Sequence, residues 1–307
     1  MRYGLCCICL DLQENYDPPI KFNTMTYQRF STLDRADALE ILGNRILNNL
    51  YTTFHNIEYC ASNNYCYRIS SSLFPLITYD AANVALEDLP NYNDIVLEFV
   101  ELKRLIKTSG VRISCHPSEF NVLASTNQIA VDKTIIELNF YSFFLDQIGC
   151  DATHNAPMNI HIHNNTGPHK EVIDRFMYNF DRLDQNCQKR LVIENDDKLN
   201  CWSVKQLFEH FHNRTQIPIT FDYLHHKCHP DGLSEQEALT MCHKSWDNHT
   251  PLFHYSESRP GNNPRAHADY TNDIFNTYDL DFDIDFELKM KDKAIAKYKA
   301  DLLCVTN

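Results

Sequence analysis

Short apolar or β-branched runs alternate along the chain with longer segments whose apolar residues recur every three or four positions, and the alternation repeats about eight times. The runs predict strands over 3–10, 65–70, 111–116, 158–163, 190–194, 217–222, 252–255 and 283–289. Helices are predicted over 34–61, 92–108, 130–148, 169–185, 203–211, 234–246, 268–277 and 291–303. In the first of these, Leu39, Leu42, Ile46 and Leu50 fall on one helical face and Asp34 stands where a capping carboxylate belongs. Repeated βα units imply a parallel sheet, and eight of them in 307 residues fit a closed (β/α)8 TIM barrel better than an open doubly wound sheet. Without a Gly- or Ser-rich linker, residues 1–307 read as one domain.

Composition narrows the function classes. No apolar run approaches the ~20 residues of a transmembrane helix, so a membrane span is excluded. The N-terminus lacks a secretory signal pattern, and an intracellular protein is expected. With 28 Lys+Arg against 41 Asp+Glu, the net charge of −13 has the wrong sign for binding polyanions through bulk charge, so any nucleic-acid contact must be local or assisted by cations. The 12 Cys are scattered through apolar segments and read as reduced and mostly buried; Cys6-x-x-Cys9 lacks a second pair and reads as a core strand.

Candidate chemistry lies at the C-terminal strand ends, which converge on the mouth of a barrel. The third strand ends in His116, the fourth in His161 and His163, the fifth in Glu194, the sixth in Asp222 followed by His225 and His226, the seventh carries His254 and the eighth Glu287. Carboxylates mixed with imidazoles suit Mn²⁺, Fe²⁺ or Zn²⁺, and the number of groups exceeds the needs of one four-coordinate ion, so two or three divalent ions are implied. His267 joins them if the loop after His254 folds over the mouth. Taken singly, each has an ordinary reading: His116 or His254 as a hydrogen-bonded histidine, Glu194 or Glu287 as a salt-bridged strand end, Asp222 as a helix N-cap. Alternation directs His161 outward or away from His163, and it stays unassigned. Joint placement at six strand ends is what points to metal.

Several stretches together resemble the UV damage endonucleases: Tyr67-Arg68-Ile69-Ser70-Ser71-Ser72-Leu73-Phe74-Pro75, Arg112-Ile113-Ser114-Cys115-His116-Pro117, Glu194-Asn195-Asp196-Asp197, Phe221-Asp222-Tyr223-Leu224-His225-His226, His254-Tyr255-Ser256, His267-Ala268-Asp269-Tyr270 and Glu287-Leu288-Lys289-Met290-Lys291-Asp292. The resemblance implies that His116, His163, Glu194, Asp222, His225, His254, His267 and Glu287 hold divalent ions, manganese being the expected choice and Zn²⁺, Mg²⁺ or Fe²⁺ the alternatives. It implies damaged double-stranded DNA as substrate, with a nick immediately 5′ of the lesion that leaves a 3′-hydroxyl and a 5′-phosphate. Glu194, His225, His254 and Glu287 would be the catalytic set, through water attack on the phosphodiester supported by the ions. The chain departs from the family at Tyr79, where a histidine is expected, at Leu252, where a sometimes carboxylated lysine stands, and at Leu5, Glu119 and Phe120, where the lesion-probing residues lie. These departures bear on ion number and damage range.

DNA contacts are expected from Phe120, Glu119 and Tyr255, and from the cations Lys170, Arg259 and Arg265; an aromatic here also has a packing reading, and each cation a solvated one. Tyr270 and His226 are weaker candidates. Three rivals stand beside the repair nuclease: a barrel nuclease for abasic sites, a metal-dependent sugar isomerase, and a damage-binding module without turnover.

Overall fold

A computed structural model describes residues 1–118, 120–163, 166–261 and 263–306. Eight parallel strands form the sheet: β1 (Tyr3–Cys6), β2 (Cys66–Ile69), β3 (Ile113–Cys115), β4 (Met158–Ile160), β5 (Leu191–Glu194), β6 (Ile219–Thr220), β7 (Leu252–Tyr255) and β8 (Asp283–Phe286). Their order, β6-β5-β4-β3-β2-β1-β8-β7, is that of a barrel opened along one seam. A single parallel bridge between Asp222 and His254 spans that seam, with the His254 N–H donating to the Phe221 carbonyl at 2.9 Å. The (β/α)8 class expected from the sequence is the one observed. None of the described helices is long and apolar enough to cross a membrane.

Alternation explains the two faces of the wall. Tyr67, Ile69, Ile113, Ile193, Phe253, Ile284 and Phe286 are buried with the core between sheet and helices. The interior is unusual in being polar: Arg112, Ser114, Asn159, Thr220, Asp283 and Asp285 are all buried in the strands or beside them. Barrel interiors are ordinarily filled by branched aliphatic side chains, so the polar groups here must satisfy one another. At the end remote from the mouth, Asp283 accepts from the Arg2 backbone N–H at 2.8 Å, from the Arg2 guanidinium at 2.8 Å and from Arg112 at 3.1 Å.

Most predicted helices form, and two differ informatively. The 169–185 segment divides into His169–Phe180 and Gln185–Arg190. No helix forms over 268–277, because its polar side chains bond locally to the backbone: Thr271 Oγ1 accepts from the Asp273 N–H at 3.0 Å, and Asn276 Oδ1 accepts from the Tyr278 N–H at 2.8 Å. Such bonds offer the chain an alternative to the helical ladder. Six of the strands, all but β5 and β7, are also shorter than predicted at their C-terminal ends, and this frees residues such as His161, His163 and Glu287 from regular pairing.

Replacing Asp283 by Ala leaves the buried Arg112 guanidinium without its carboxylate, and a loss of about 3 kcal/mol is expected, the scale for breaking a buried ion pair. Burial raises the Asp283 pKa, but Arg2 and Arg112 hold it below the ordinary value. The carboxylate's contribution is therefore complete above the unfolded value of about 3.9 and fades as pH falls through the folded one. Urea midpoints of wild type and Asp283→Asn should converge on acidification below about pH 4.

Candidate metal centre

Glu194 ends β5 with its carboxylate almost wholly buried, and four imidazoles surround it. His254 Nδ1 lies 3.1 Å from Oε2, His116 Nε2 3.2 Å and His161 Nε2 3.6 Å, while His225 Nδ1 lies 3.2 Å from Oε1. The Asn159 side-chain amide also donates to Oε2. Glu287, at the end of β8, adds a second carboxylate 3.3 Å from His254 Nδ1 and is itself paired with the buried Arg68 guanidinium of β2.

Local structure fixes these side chains. Asp222 fulfils its ordinary reading with one oxygen to spare: Oδ1 caps the helix Tyr223–Cys228 by accepting from the His225 N–H at 2.7 Å, while Oδ2 is buried with no hydrogen-bond partner among the described residues. Asn195 locks this corner, its Oδ1 accepting from the Asp222 N–H at 2.8 Å and its Nδ2 donating to the Asp222 carbonyl at 3.2 Å. An antiparallel bridge between Ser258 and His267 brings His267 Nδ1 to 3.0 Å from the Glu287 carbonyl oxygen. His116 and His225 make the same kind of contact, Nδ1 to the Pro117 carbonyl at 3.0 Å and to the Asn195 carbonyl at 2.9 Å. A carbonyl oxygen only accepts, so Nδ1 donates in all three, and in the neutral form of each ring Nε2 has its lone pair for a ligand.

Electrostatics follow from crowding opposite charges in a dry place. Burial pushes the Glu194 carboxyl up, yet His254, His161, His116 and His225 together hold it well below its ordinary value. Glu287 is likewise raised by burial but held well below its ordinary value by Arg68 and His254. Burial lowers His254, and the two glutamates overcome that to push it up to about 9. His225 lies well above its ordinary value because Asp222 and Glu194 outweigh burial, whereas burial wins at His116 and lowers it. Burial also wins at Asp222, whose carboxyl is raised.

The donor set fits divalent cations. His116, His161 and Glu194 place ligand atoms within 4.8 Å of one another, and so do His161, His163 and Asp196, and Glu194, Asp222 and His254. The orphaned Asp222 Oδ2 is an acceptor that lacks a donor, as expected of an atom facing a cation. Above the cluster is an open cavity of about 380 Å³ lined by Arg68, His116, His161, His163, Asp196, Lys198, His225 and Glu287, among others.

Of the residues expected from the sequence, His116, Glu194, Asp222, His225, His254 and Glu287 come together around one centre; His267 joins through Glu287, and His163 sits at the rim against Asp196 at 3.0 Å. His161 corrects the outward orientation expected of it. β4 ends at Ile160 and His163 adopts a φ of 51°, so strict alternation stops, and both imidazoles turn to the same Asp196 oxygen, stacked 4.7 Å apart. Asp196, Arg68, Asn159 and Asp285 were missed. Their signal was present: Glu194 and Asp196 stand two apart in the sequence, the spacing that puts side chains on one side of an extended chain, and a charged or amide group inside a largely apolar strand needs a partner.

The expected DNA contacts divide. Phe120 is 80% exposed at the mouth, whereas Glu119 lies outside the described residues. Tyr255 is only 2% exposed, packed on Phe275, Phe286 and Tyr298, with its hydroxyl bonded to Thr271 and Glu257. It faces the helices because His254, its neighbour in β7, faces the interior, and this removes it from the reach of DNA. Lys170, Arg259 and Arg265 are paired with Asp174 at 2.7 Å, Asp269 at 2.8 Å and Asp197 at 3.6 Å. Leu5 and Leu252 are buried in the barrel wall, and Tyr79 lies in a separate cavity of about 760 Å³ with Arg35 and Asp88, 5.3 Å from the Tyr27 ring.

Known proteins are similar to this chain over most of its length. A UV DNA damage endonuclease of Bacillus velezensis is 26% identical over 294 residues, covering 92% of this chain and 89% of that protein. Its counterpart in Bacillus cereus is 29% identical over 287 residues, covering 89% and 86%. The crystal structure of SacUVDE matches with a TM-score of 0.82 at 27% identity, over 100% of this chain and 99% of the other. Endonuclease IV from Thermus thermophilus, at 11% identity, a TM-score of 0.57 and coverage of 98% and 99%, shares the fold. The model of the family described as UV-endonuclease UvdE matches residues 1–306, and the chain belongs to that family.

Proposed function

We propose that the protein is a DNA repair endonuclease that nicks UV-damaged double-stranded DNA immediately 5′ of the lesion and leaves a 3′-hydroxyl and a 5′-phosphate. The observation that carries this reading is the buried Glu194 carboxylate ringed by imidazoles at the floor of an open mouth. Family membership and relatives named UV DNA damage endonuclease support it. An open mouth suits a polymer strand better than the closed pocket a sugar isomerase needs.

His116, His161, His163, Glu194, Asp222, His225, His254, His267 and Glu287 would hold two or three divalent ions, with manganese the expected choice. Such ions, when bound, supply an activated water, neutralise the phosphoryl charge and support the leaving oxygen. The chain's own part is placement. Glu194 and Glu287 present fixed negative charge, their geometry set by Asn159 and Arg68. The Nδ1–H bonds of His116, His225 and His267 to backbone carbonyls hold those rings in one tautomer and one orientation. Filled with cations, the mouth is locally positive despite the overall charge of −13. Phe120 stands free to wedge into or stack on bases beside the lesion. Arg259 and Arg265 would exchange their carboxylate partners for phosphates flanking the scissile bond.

UV-irradiated supercoiled plasmid should be relaxed with Mn²⁺ and not with EDTA, untreated plasmid should stay supercoiled, and Glu194→Gln should lose about a hundredfold or more in rate. Cutting of both plasmids alike, or full activity of the variant, would contradict the assignment. Phe120→Ala should narrow the difference between irradiated and untreated plasmid at unchanged Mn²⁺ requirement; an unchanged difference would take Phe120 out of lesion recognition. Arg259→Ala should weaken binding of damaged duplex and reduce the slope of log K against log salt by about 0.9.

A further inference from the structure

We infer that Asp285 is a positioning residue for the candidate metal centre, acting through His254 by holding a carboxyl group 4.0 Å from the ring nitrogen opposite the one that faces the glutamates. The inference rests on the metal-dependent reading of the mouth.

Register brings the pieces together. Asp285 is the direct partner of His254 in the β7–β8 pairing and of Gly4 in the β1–β8 pairing, so its side chain and that of His254 share the interior face. His254 Nδ1 lies 3.1 Å from Glu194 Oε2 and 3.3 Å from Glu287 Oε1, and its Nε2 lies 4.0 Å from Asp285 Oδ2. No well-directed hydrogen bond engages Nδ1 among the described residues, although two carboxylates converge on it. An imidazole that binds a cation gives up the second proton of its charged form and keeps one, and which nitrogen bears it is decided by the partner of the other. A carboxylate beneath Nε2 draws the proton there and leaves the Nδ1 lone pair on the side of Glu194 and Glu287, where a cation would sit. The reverse tautomer would aim N–H at that position.

Asp285 is built into its place. Its side chain is fully buried, and the Ser114 hydroxyl donates to Oδ2 at 3.2 Å. On the β1 side the space exists only because residue 4 is glycine: a Cβ there would come within 1.9 Å of Asp285 Oδ1. That oxygen has no hydrogen-bond partner among the described residues, and Arg68, the nearby buried cation, is paired with Glu287. Burying an incompletely bonded carboxyl in a barrel wall is costly, and an aliphatic residue would avoid that cost. Orienting His254 gives the carboxyl a use that packing does not.

The full chain, stripped with EDTA, should be titrated with Mn²⁺ by calorimetry, with free ion followed by electron paramagnetic resonance. Asp285→Asn should bind Mn²⁺ about ten- to a hundredfold more weakly, the range for partners that orient a metal-ligating histidine. Its urea midpoint without metal should stay close to that of wild type, and on damaged plasmid kcat should fall with KM for DNA unchanged. Gly4→Ala keeps the carboxylate but displaces it from His254, and should weaken Mn²⁺ binding in the same direction. Mn²⁺ affinity of Asp285→Asn equal to that of wild type overturns the inference while leaving the nuclease reading intact. Failure of wild type itself to take up Mn²⁺ overturns both.

Discussion

A carboxylate withdrawn from water must be compensated by charge or by hydrogen bonds, and at Glu194 the compensation comes from His116, His161, His225 and His254 together. These residues come from strand ends and loops spread over nearly half of the chain, from position 116 to position 254. Their meeting requires the ring to close, and it closes between β6 and β7 through the two residues that also belong to the site, Asp222 and His254. Closure and chemistry are therefore the same contact. A barrel slipped by one residue at that seam would turn one of the pair to the helix side and leave Glu194 with a depleted ring.

The polar interior extends the same logic downward. From the mouth to the far end, charged or polar side chains meet complementary ones: Glu287 with Arg68, Asp285 with Ser114, Asp283 with Arg112 and Arg2. Hydrophobic stabilisation is carried instead by the layer between sheet and helices, where Phe253 packs on Phe282, and Phe286 on Tyr255, Phe275 and Tyr298. Separation of the two layers lets the interior carry charged and polar groups without dissolving the core.

Much of this was legible in the sequence because the controlling signals are local. Eight strands could be read from β-branched runs, and Glu194, Asp222, His254 and Glu287 could be read as inward residues from their places at strand ends. The errors fall where local pattern stops controlling the chain. His161 depends on where β4 gives up regular pairing, and Tyr255 depends on which of two adjacent polar residues takes the inner face. The helix expected over 268–277 yields to Thr271 and Asn276 bonding their own backbone. Asp285 and Arg68 are intelligible only once neighbouring strands are in register, since neither has a sequence neighbour that explains it.

Anomalous diffraction at the manganese edge, from crystals grown with Mn²⁺, tests the central claim most directly. A cluster organised on Glu194 predicts anomalous peaks at bonding distance from its carboxylate oxygens and from the imidazoles around it. Crystals that take up manganese elsewhere, with His116, His161, His225 and His254 still bonded directly to Glu194, would contradict it.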